Sequence, residues 1–239
     1  MPNAAEDCEN RLRNLNAEYE EFAYIVSHDL KAPVRAISNL LTWLEDDLEG
    51  NLPGDSKENF GLVKNRLGRL DKMIQSLLDF SRVPRLHLET RRIDLAQELK
   101  WLPEQLPKDK ALKLEISGQI PVLETFAEKL IYVLKELLQN AFFFNDKPAV
   151  EITVNLEDTP ENVMITITDN GPGVPESSLN KIFVMFYTVQ PKDRLETTGA
   201  GLAIVNKIVT FAGGKIKAEN NPAGGLKISI TWPKSLNKN

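Results

Sequence analysis

The chain has little cysteine, little histidine, no long apolar run and no basic block, and each shortage excludes something. Its single cysteine, Cys8, rules out an internal disulfide and fits a reducing compartment such as the cytoplasm. No uninterrupted apolar stretch approaches the ~18 residues that cross a bilayer, and the polar, acidic N-terminal region does not resemble a signal peptide. Lys and Arg are interleaved with acids throughout, and the net charge is −5, so a nucleic-acid surface is not expected. There is no Gly-x-x-x-x-Gly-Lys-Ser/Thr loop, which removes the P-loop nucleotidases. With 239 residues and 42% hydrophobic content, the chain can form one large or two small domains with a proper core.

Only two histidines occur, His28 and His87. His87 lies in a segment read as a linker. His28 lies in Phe22-Ala23-Tyr24-Ile25-Val26-Ser27-His28-Asp29-Leu30-Lys31-Ala32-Pro33-Val34, within a helix expected from about Glu6 to Glu49. At about 100° per residue, Val26, Leu30, Pro33 and Ile37 share a narrow stripe and His28 points the other way, so its imidazole is expected in solvent beside the Asp29 carboxylate. Such a histidine can act as a nucleophile toward a phosphorylated donor. Pro33 cannot donate to the Asp29 carbonyl, so the helix is expected to bend or loosen there.

Leu12, Leu15, Tyr19, Phe22 and Val26, then Ile37, Leu40, Leu44 and Leu48, continue the apolar spacing. After Gly50 to Asp55, a second helix is marked by Phe60, Val63, Leu67, Leu70, Ile74 and Leu77. A two-helix hairpin cannot enclose stripes of this length, so a second copy is expected to complete a four-helix bundle, making the chain a homodimer. Packing of the stripe on the chain's own C-terminal part is the alternative. Residues 1–83 form the expected hairpin domain, 84–92 a hinge, 93–234 a second domain and 235–239 a tail.

In the second domain a short strand and helix (Ile93 to Trp101) precede Pro-rich turns and an alternating strand at Leu112 to Ile116. A helix from Ala127 to Phe144 and strands Val150 to Leu156 and Val163 to Thr168 follow, then a helix from Gly201 to Phe211 and strands near Lys215 to Ala218 and Leu226 to Trp232. Helices mixed with antiparallel strands suggest an α+β sandwich with helices on one face.

Three patterns in this domain suit nucleotide chemistry. Glu136 and Asn140 share a helix face, where carboxylate and amide oxygens can hold Mg²⁺. Asp169-Asn170-Gly171-Pro172-Gly173 follows a strand, and a buried Asp169 there can accept a hydrogen bond from an exocyclic amine. Thr197-Thr198-Gly199-Ala200-Gly201-Leu202 opens a helix whose free N–H groups suit phosphates. Taken singly, each is also ordinary: a polar stripe, a turn and a helix start.

In this order and spacing, with the Ser-His-Asp-Leu-Lys-x-Pro-Val box, the chain resembles the catalytic core of sensor histidine kinases over nearly its full length. The resemblance implies a dimeric four-helix bundle followed by an α+β sandwich ATPase domain of the Bergerat fold, with ATP and Mg²⁺ as cofactors and a response regulator receiver domain as partner. It implies phosphorylation of His28 with Asp29 as orienting base, Asn140 and Glu136 at the metal, and Asp169, Gly171 and Gly173 at adenine. Phe144, Thr198, Gly199, Ala200, Gly201 and Leu202 would also contact nucleotide. A mobile lid would run from Phe186 to Thr198, with Lys192 and Arg194 supplying charge near the γ-phosphate. Departures from the family pattern are Phe143 where a lysine is usual, Thr188 where an arginine is common, Ala203 for the last glycine, and Ala32 where a residue that positions water for dephosphorylation is frequent. The last implies weak phosphatase activity. Phe143 and Thr188 keep open an adaptor of weak or absent activity, and an ATPase of the same fold with an incidental His28 is the other alternative. The chain is also expected to be cytoplasmic, as itself or as a fragment of a larger, membrane-attached sensor.

Overall fold

The computed structural model describes residues 4–48, 54–85, 87–189 and 197–235. They form two compact units, one containing the helical N-terminal part as far as Arg82 and the other beginning at Val83.

The first unit is built on α1 (Ala4–Asp47) and α2 (Gly54–Arg82). Glu45 pairs with Lys64 and Lys31 with Gln75, so one helix descends as the other rises and the pair is an antiparallel hairpin. Asp55 in the first turn of α2 and Arg82 in its last both suit the helix dipole. The guanidinium of Arg82 also lies 5.5 Å from the ring centroid of Tyr24 on α1. α1 remains helical through Pro33, so the missing bond to the Asp29 carbonyl does not end the helix.

The face that α1 turns to α2 is not the expected stripe. Ala23, Ser27 and Val34 are buried, with Ile74, Leu78 and Ser81 opposite, whereas Leu30 and Ile37 are exposed and Val26 is half-buried. On α1 the contact is lined by short side chains, against which Ile74 and Leu78 of α2 pack. The large apolar residues of the expected stripe are left outward in the single chain: Phe22 is 65% exposed and Leu40 52%.

The second unit has a five-stranded sheet in the order β2-β4-β5-β7-β6, from strands β2 (Ala111–Gly118), β4 (Ala149–Asp158), β5 (Asn162–Asp169), β6 (Lys215–Asn220) and β7 (Leu226–Pro233). A separate antiparallel ribbon pairs β1 (Arg91–Asp94) with β3 (Val122–Thr125). The expectation of antiparallel strands needs one correction. β2 and β4 run parallel, Leu114 opposite Ile152, because the chain between them passes through β3 and a helix before returning. All other neighbours are antiparallel.

Helices α4 (Ala127–Phe143) and α5 (Gly201–Phe211) pack on one face of this sheet, and α3 (Leu95–Trp101) is capped by the Asp94 side chain, which accepts from Ala96 N. Strict alternation makes the layer. Val150, Ile152, Val154 and Leu156 of β4 are buried while Glu151, Thr153, Asn155 and Glu157 are exposed. Leu130, Val133, Leu134, Leu137 and Leu138 of α4 fill the space above them. Trp232 is fully buried and its indole N–H donates to Thr125 Oγ1 at 2.8 Å, tying β7 to the ribbon. Among the described residues no helix is long and apolar enough to cross a membrane.

Candidate active site

His28 stands on α1 one residue past the buried Ser27, a rotation that takes its ring out of the helix contact. Its side chain is 73% exposed, as is that of Asp29, and His28 Nδ1 lies 3.1 Å from Asp29 Oδ1. A carboxylate only accepts, so in the neutral tautomer that this contact favours the proton sits on Nδ1 and the lone pair on Nε2. The Tyr24 ring, one turn earlier, lies roughly parallel at 6.3 Å between centroids. The geometry is that of an oriented, accessible nitrogen nucleophile.

In the second unit, α4 carries Glu136 and Asn140 as expected. Asn140 Nδ2 donates to the Glu136 carbonyl at 2.7 Å, which assigns the amide and turns Oδ1, the oxygen that can ligate a metal, the other way. Burial pushes the Glu136 carboxyl above the usual range, with Lys135 opposing. The Glu136 carboxylate also lies against the first residue of α5. A Cβ added to Gly201 would stand 2.3 Å from Glu136 Oε2, so any side chain there would push the Glu136 carboxylate aside. The start of α5 has no side-chain cap, leaving its amides to a ligand.

Asp169, at the end of β5, accepts hydrogen bonds from Gly171 N at 2.8 Å and Leu226 N at 3.2 Å, both on Oδ1. Burial raises its carboxyl pKa, and these two amides and Lys147 oppose the rise. Two glycines are required by close approach. Gly173 has φ +68 and a Cβ there would meet Asn220 Oδ1 at 2.8 Å, and Gly225 has φ +96 with Asp169 O 1.9 Å from the Cβ position. Asn220 holds the loop on that side, donating to Val174 O and Glu176 Oε1 and accepting from Val174 N.

The structure thus brings Glu136, Asn140 and Gly201 together, and separately Asp169, Gly171 and Leu226. Phe144 is the half-buried C-cap of α4, its N–H directed to Asn140 O, while Phe143 is exposed. Gly199 adopts φ +73, Ala200 is buried, and Thr198 and Leu202 are half-buried. Lys192 and Arg194, with most of the expected lid, lie outside the described residues. Sequence reasoning overlooked Asn220 and Gly225, although the Asn-Pro-Ala-Gly-Gly turn between two strands was a signal for the second.

A Mg²⁺ site fits these residues. Among the described residues no three His, Cys, Asp or Glu cluster as an all-protein metal cage would need. Mg²⁺ at nucleotide sites is held by one or two protein oxygens with the rest from phosphates and water, which Asn140 Oδ1 and Glu136 can supply.

The α/β unit, with its glycine-lined loop and uncapped helix start, defines a nucleotide-binding domain joined to a hairpin that bears an exposed histidine. Residues 126–236 match the family described as histidine kinase-, DNA gyrase B-, and HSP90-like ATPase. Residues 18–85 match the His Kinase A (phospho-acceptor) domain. Over 225 residues the chain is 32% identical to Cyanobacterial phytochrome B of Nostoc sp. (strain PCC 7120 / SAG 25.82 / UTEX 2576), covering 92% of this chain and 30% of that protein. The chain therefore spans less than a third of that relative's length. Full-length ShkA in complex with AMPPNP is similar over 90% of this chain and 46% of its own, with a TM-score of 0.66 at 20% identity. Histidine kinase ThkA in complex with the response regulator protein TrrA is similar over 97% of this chain and 67% of its own, with a TM-score of 0.64 at 21% identity. At these identities the two structural likenesses bear on the fold alone. With both domains present in this order, the chain belongs to the sensor histidine kinases and corresponds to their catalytic core.

Proposed function

We propose that this chain uses ATP to phosphorylate His28 and passes the phosphoryl group to an aspartate on the receiver domain of a separate response regulator. The observation that carries the reading is the exposed His28, held through Nδ1 by Asp29, on a chain that also bears an ATPase-type domain. Nε2 forms the new bond to the γ-phosphorus as the bond from that phosphorus to the β-bridging oxygen breaks and ADP leaves. Asp29 orients the ring, keeps the proton on Nδ1 and stabilises the positive charge that develops on the imidazole. Asp169 accepts from the adenine amino group, Gly171 and Gly173 let the loop approach the base, and the amides from Gly199 to Leu202 bind phosphates. Phe144 and Thr198 border the nucleotide, and Lys192 and Arg194 neutralise charge on the γ-phosphate. Bound Mg²⁺, held by Asn140 with Glu136 in support, supplies charge neutralisation at the phosphates.

The outward apolar residues of α1, from Leu15 through Leu44, are assigned to a second copy, giving a four-helix bundle. Residues 1–83 would act as phosphotransfer domain, 84–92 as hinge and 93–234 as kinase domain, in the cytoplasm where ATP and receiver domains are found. ThkA forms a complex with a response regulator protein and ShkA one with AMPPNP, and partners of the same classes are proposed here by analogy.

The test is incubation of the protein and a His28→Ala variant with γ-labelled ATP and Mg²⁺. Acid-labile, alkali-stable label on the wild type alone is the expected result. A folded, dimeric protein that takes up no label would instead favour the adaptor reading, for which the exposed Phe143 in place of a lysine is the specific observation.

A further inference from the structure

Asn145 follows the C-cap of α4 and is 4% exposed, yet no part of the chemistry above uses it. Its backbone is held on both sides: its N–H is directed to Phe142 O, and its carbonyl accepts from Lys110 Nζ at 2.7 Å. Its side chain is bonded at both ends. Oδ1 accepts from Lys147 N at 3.0 Å, and Nδ2 donates to Asn170 Oδ1 at 2.8 Å. Asn170 in turn accepts from Glu151 N at 3.0 Å on that same oxygen and donates Nδ2 to Ala149 O at 3.2 Å. Backbone N–H groups only donate and carbonyls only accept, so both amides are assigned without ambiguity.

Asn170 is the residue between Asp169 and Gly171, and Gly171 lies flush against Asn145. A Cβ added to Gly171 would be 3.5 Å from both Cα and Cγ of Asn145 and 3.0 Å from Asp169 Oδ1. The amide of Gly171 is one of the two groups that hold the Asp169 carboxylate. The segment that follows helix α4, which carries Asn140, is therefore joined to the residue after Asp169, at the end of β5, through a part-buried pair of side-chain amides. Asn220 holds the far side of the same loop and the Asn170 N–H is directed to Glu151 O, while the Asn145–Asn170 pair ties the loop to the segment that follows α4.

We infer that Asn145 is a positioning residue for nucleotide recognition: through Asn170 it sets the place of Asp169 relative to Asn140, and so governs affinity for the adenine base and discrimination against guanine, whose six-position is a carbonyl rather than an amine. The inference rests on the reading of Asp169 as the group that accepts from the adenine amine. A guanine carbonyl facing the Asp169 carboxylate sets acceptor against acceptor, and only a carboxylate held in place enforces that mismatch. A loose loop lets it turn away.

The experiment measures binding of ATP-Mg²⁺ and GTP-Mg²⁺ by calorimetry, and KM and kcat for His28 labelling, in the full chain. Asn145→Asp keeps the shape and the acceptor for Lys147 N but puts an oxygen opposite Asn170 Oδ1. Asn170→Ala removes the other half of the pair near the surface and leaves the buried residue in place. Loss of one such part-buried bond corresponds to about a tenfold change in affinity. Both variants are expected to weaken ATP binding by about tenfold or more, to narrow the preference for ATP over GTP, and to raise KM more than they lower kcat. In an Asp169→Asn background, Asn145→Asp is expected to cause no further loss, because it acts through that carboxylate. If both variants lower only the melting temperature and leave ATP affinity and the ATP/GTP ratio unchanged, the inference is overturned. Full additivity with Asp169→Asn overturns it as well. Asp169→Asn alone separates this from the underlying reading: if that variant binds both nucleotides as the wild type does, it is the assignment of Asp169 that fails.

Discussion

Two helices of this chain show how differently the same spacing of apolar residues can be used. α4 has 17 residues and buries Leu130, Val133 and Leu134 completely, whereas α1 has 44 and among its described side chains buries only Ala23, Ser27 and Val34. The α/β unit closes its core within one chain. In the hairpin α1 offers short side chains to Ile74 and Leu78 of α2 and keeps its own large ones outside, so apolar content predicts burial only when one knows which surface is available to receive it. Under the proposed function, chemistry and partner contact fall to the open hairpin and the nucleotide to the closed unit, a division of labour with measurable consequences.

The largest effect is expected from breaking the outward stripe. Leu40→Asp with Leu44→Asp should leave the protein monomeric in sedimentation while ATP binding to the α/β unit is unchanged, and a dimer that persists would remove the stripe from the interface. Next comes Gly201→Val, whose side chain would displace the Glu136 carboxylate from its place beside Asn140. ATP affinity measured by calorimetry should fall about tenfold to hundredfold with no change in dimer mass. Leu134→Ala opens a cavity in the closed core and should cost about 2–5 kcal/mol in urea unfolding of the α/β unit, independent of protein concentration, in contrast to the hairpin.

A subtler difference concerns Lys129, buried at the start of α4, where its Nζ donates to the Val83 carbonyl and lies 5.0 Å from the Phe211 ring. Burial lowers its pKa to about 8 from 10.5. Between those values the unfolded chain binds more protons than the folded one, so stability rises with pH across that window and the penalty of the buried charge is present in full below it. Relative to Lys129→Met, the wild type should gain stability between pH 8 and 10.5, read by unfolding at each pH. The smallest change expected is from Phe143→Lys. On an exposed position it should leave stability unaltered and raise ATP affinity by about threefold to tenfold in calorimetry, through one more cation near the phosphates.

Much of the closed unit was legible because its elements are strongly periodic. The helix expected from Ala127 to Phe144 runs from Ala127 to Phe143, and Gly201 to Phe211 is found with those limits. β4 and β5 extend one or two residues past their expected ends. β3 was not legible: four residues, Val122 to Thr125, carry too little alternation to stand out from the Pro-rich turns before them. The parallel pairing of β2 with β4 was hidden for a different reason, since partner and direction belong to the sheet and not to the strand.

The candidate site divides in the same way. His28 beside Asp29, Glu136 four residues before Asn140, and the two glycine-bearing segments are local patterns, visible because helix and turn geometry act over a few residues. That His28 faces solvent also followed from helix rotation alone, while the residues that meet α2, Ala23, Ser27 and Val34, lie off the stripe of Val26, Leu30, Pro33 and Ile37. What only the tertiary structure decided is which distant groups meet: Glu136 against Gly201, Asp169 beneath the Leu226 amide, Asn145 against Asn170, and Lys129 under the Val83 carbonyl. Contacts between residues tens of positions apart depend on how several layers pack at once, and no local propensity encodes that. The sequence by itself determined the elements and the chemistry they carry, because both arise from backbone geometry and side-chain type within a turn or two. Packing alone determined how the nucleotide loop is held, because that depends on burial and on hydrogen bonds that exist only once the sheet and its helices have closed.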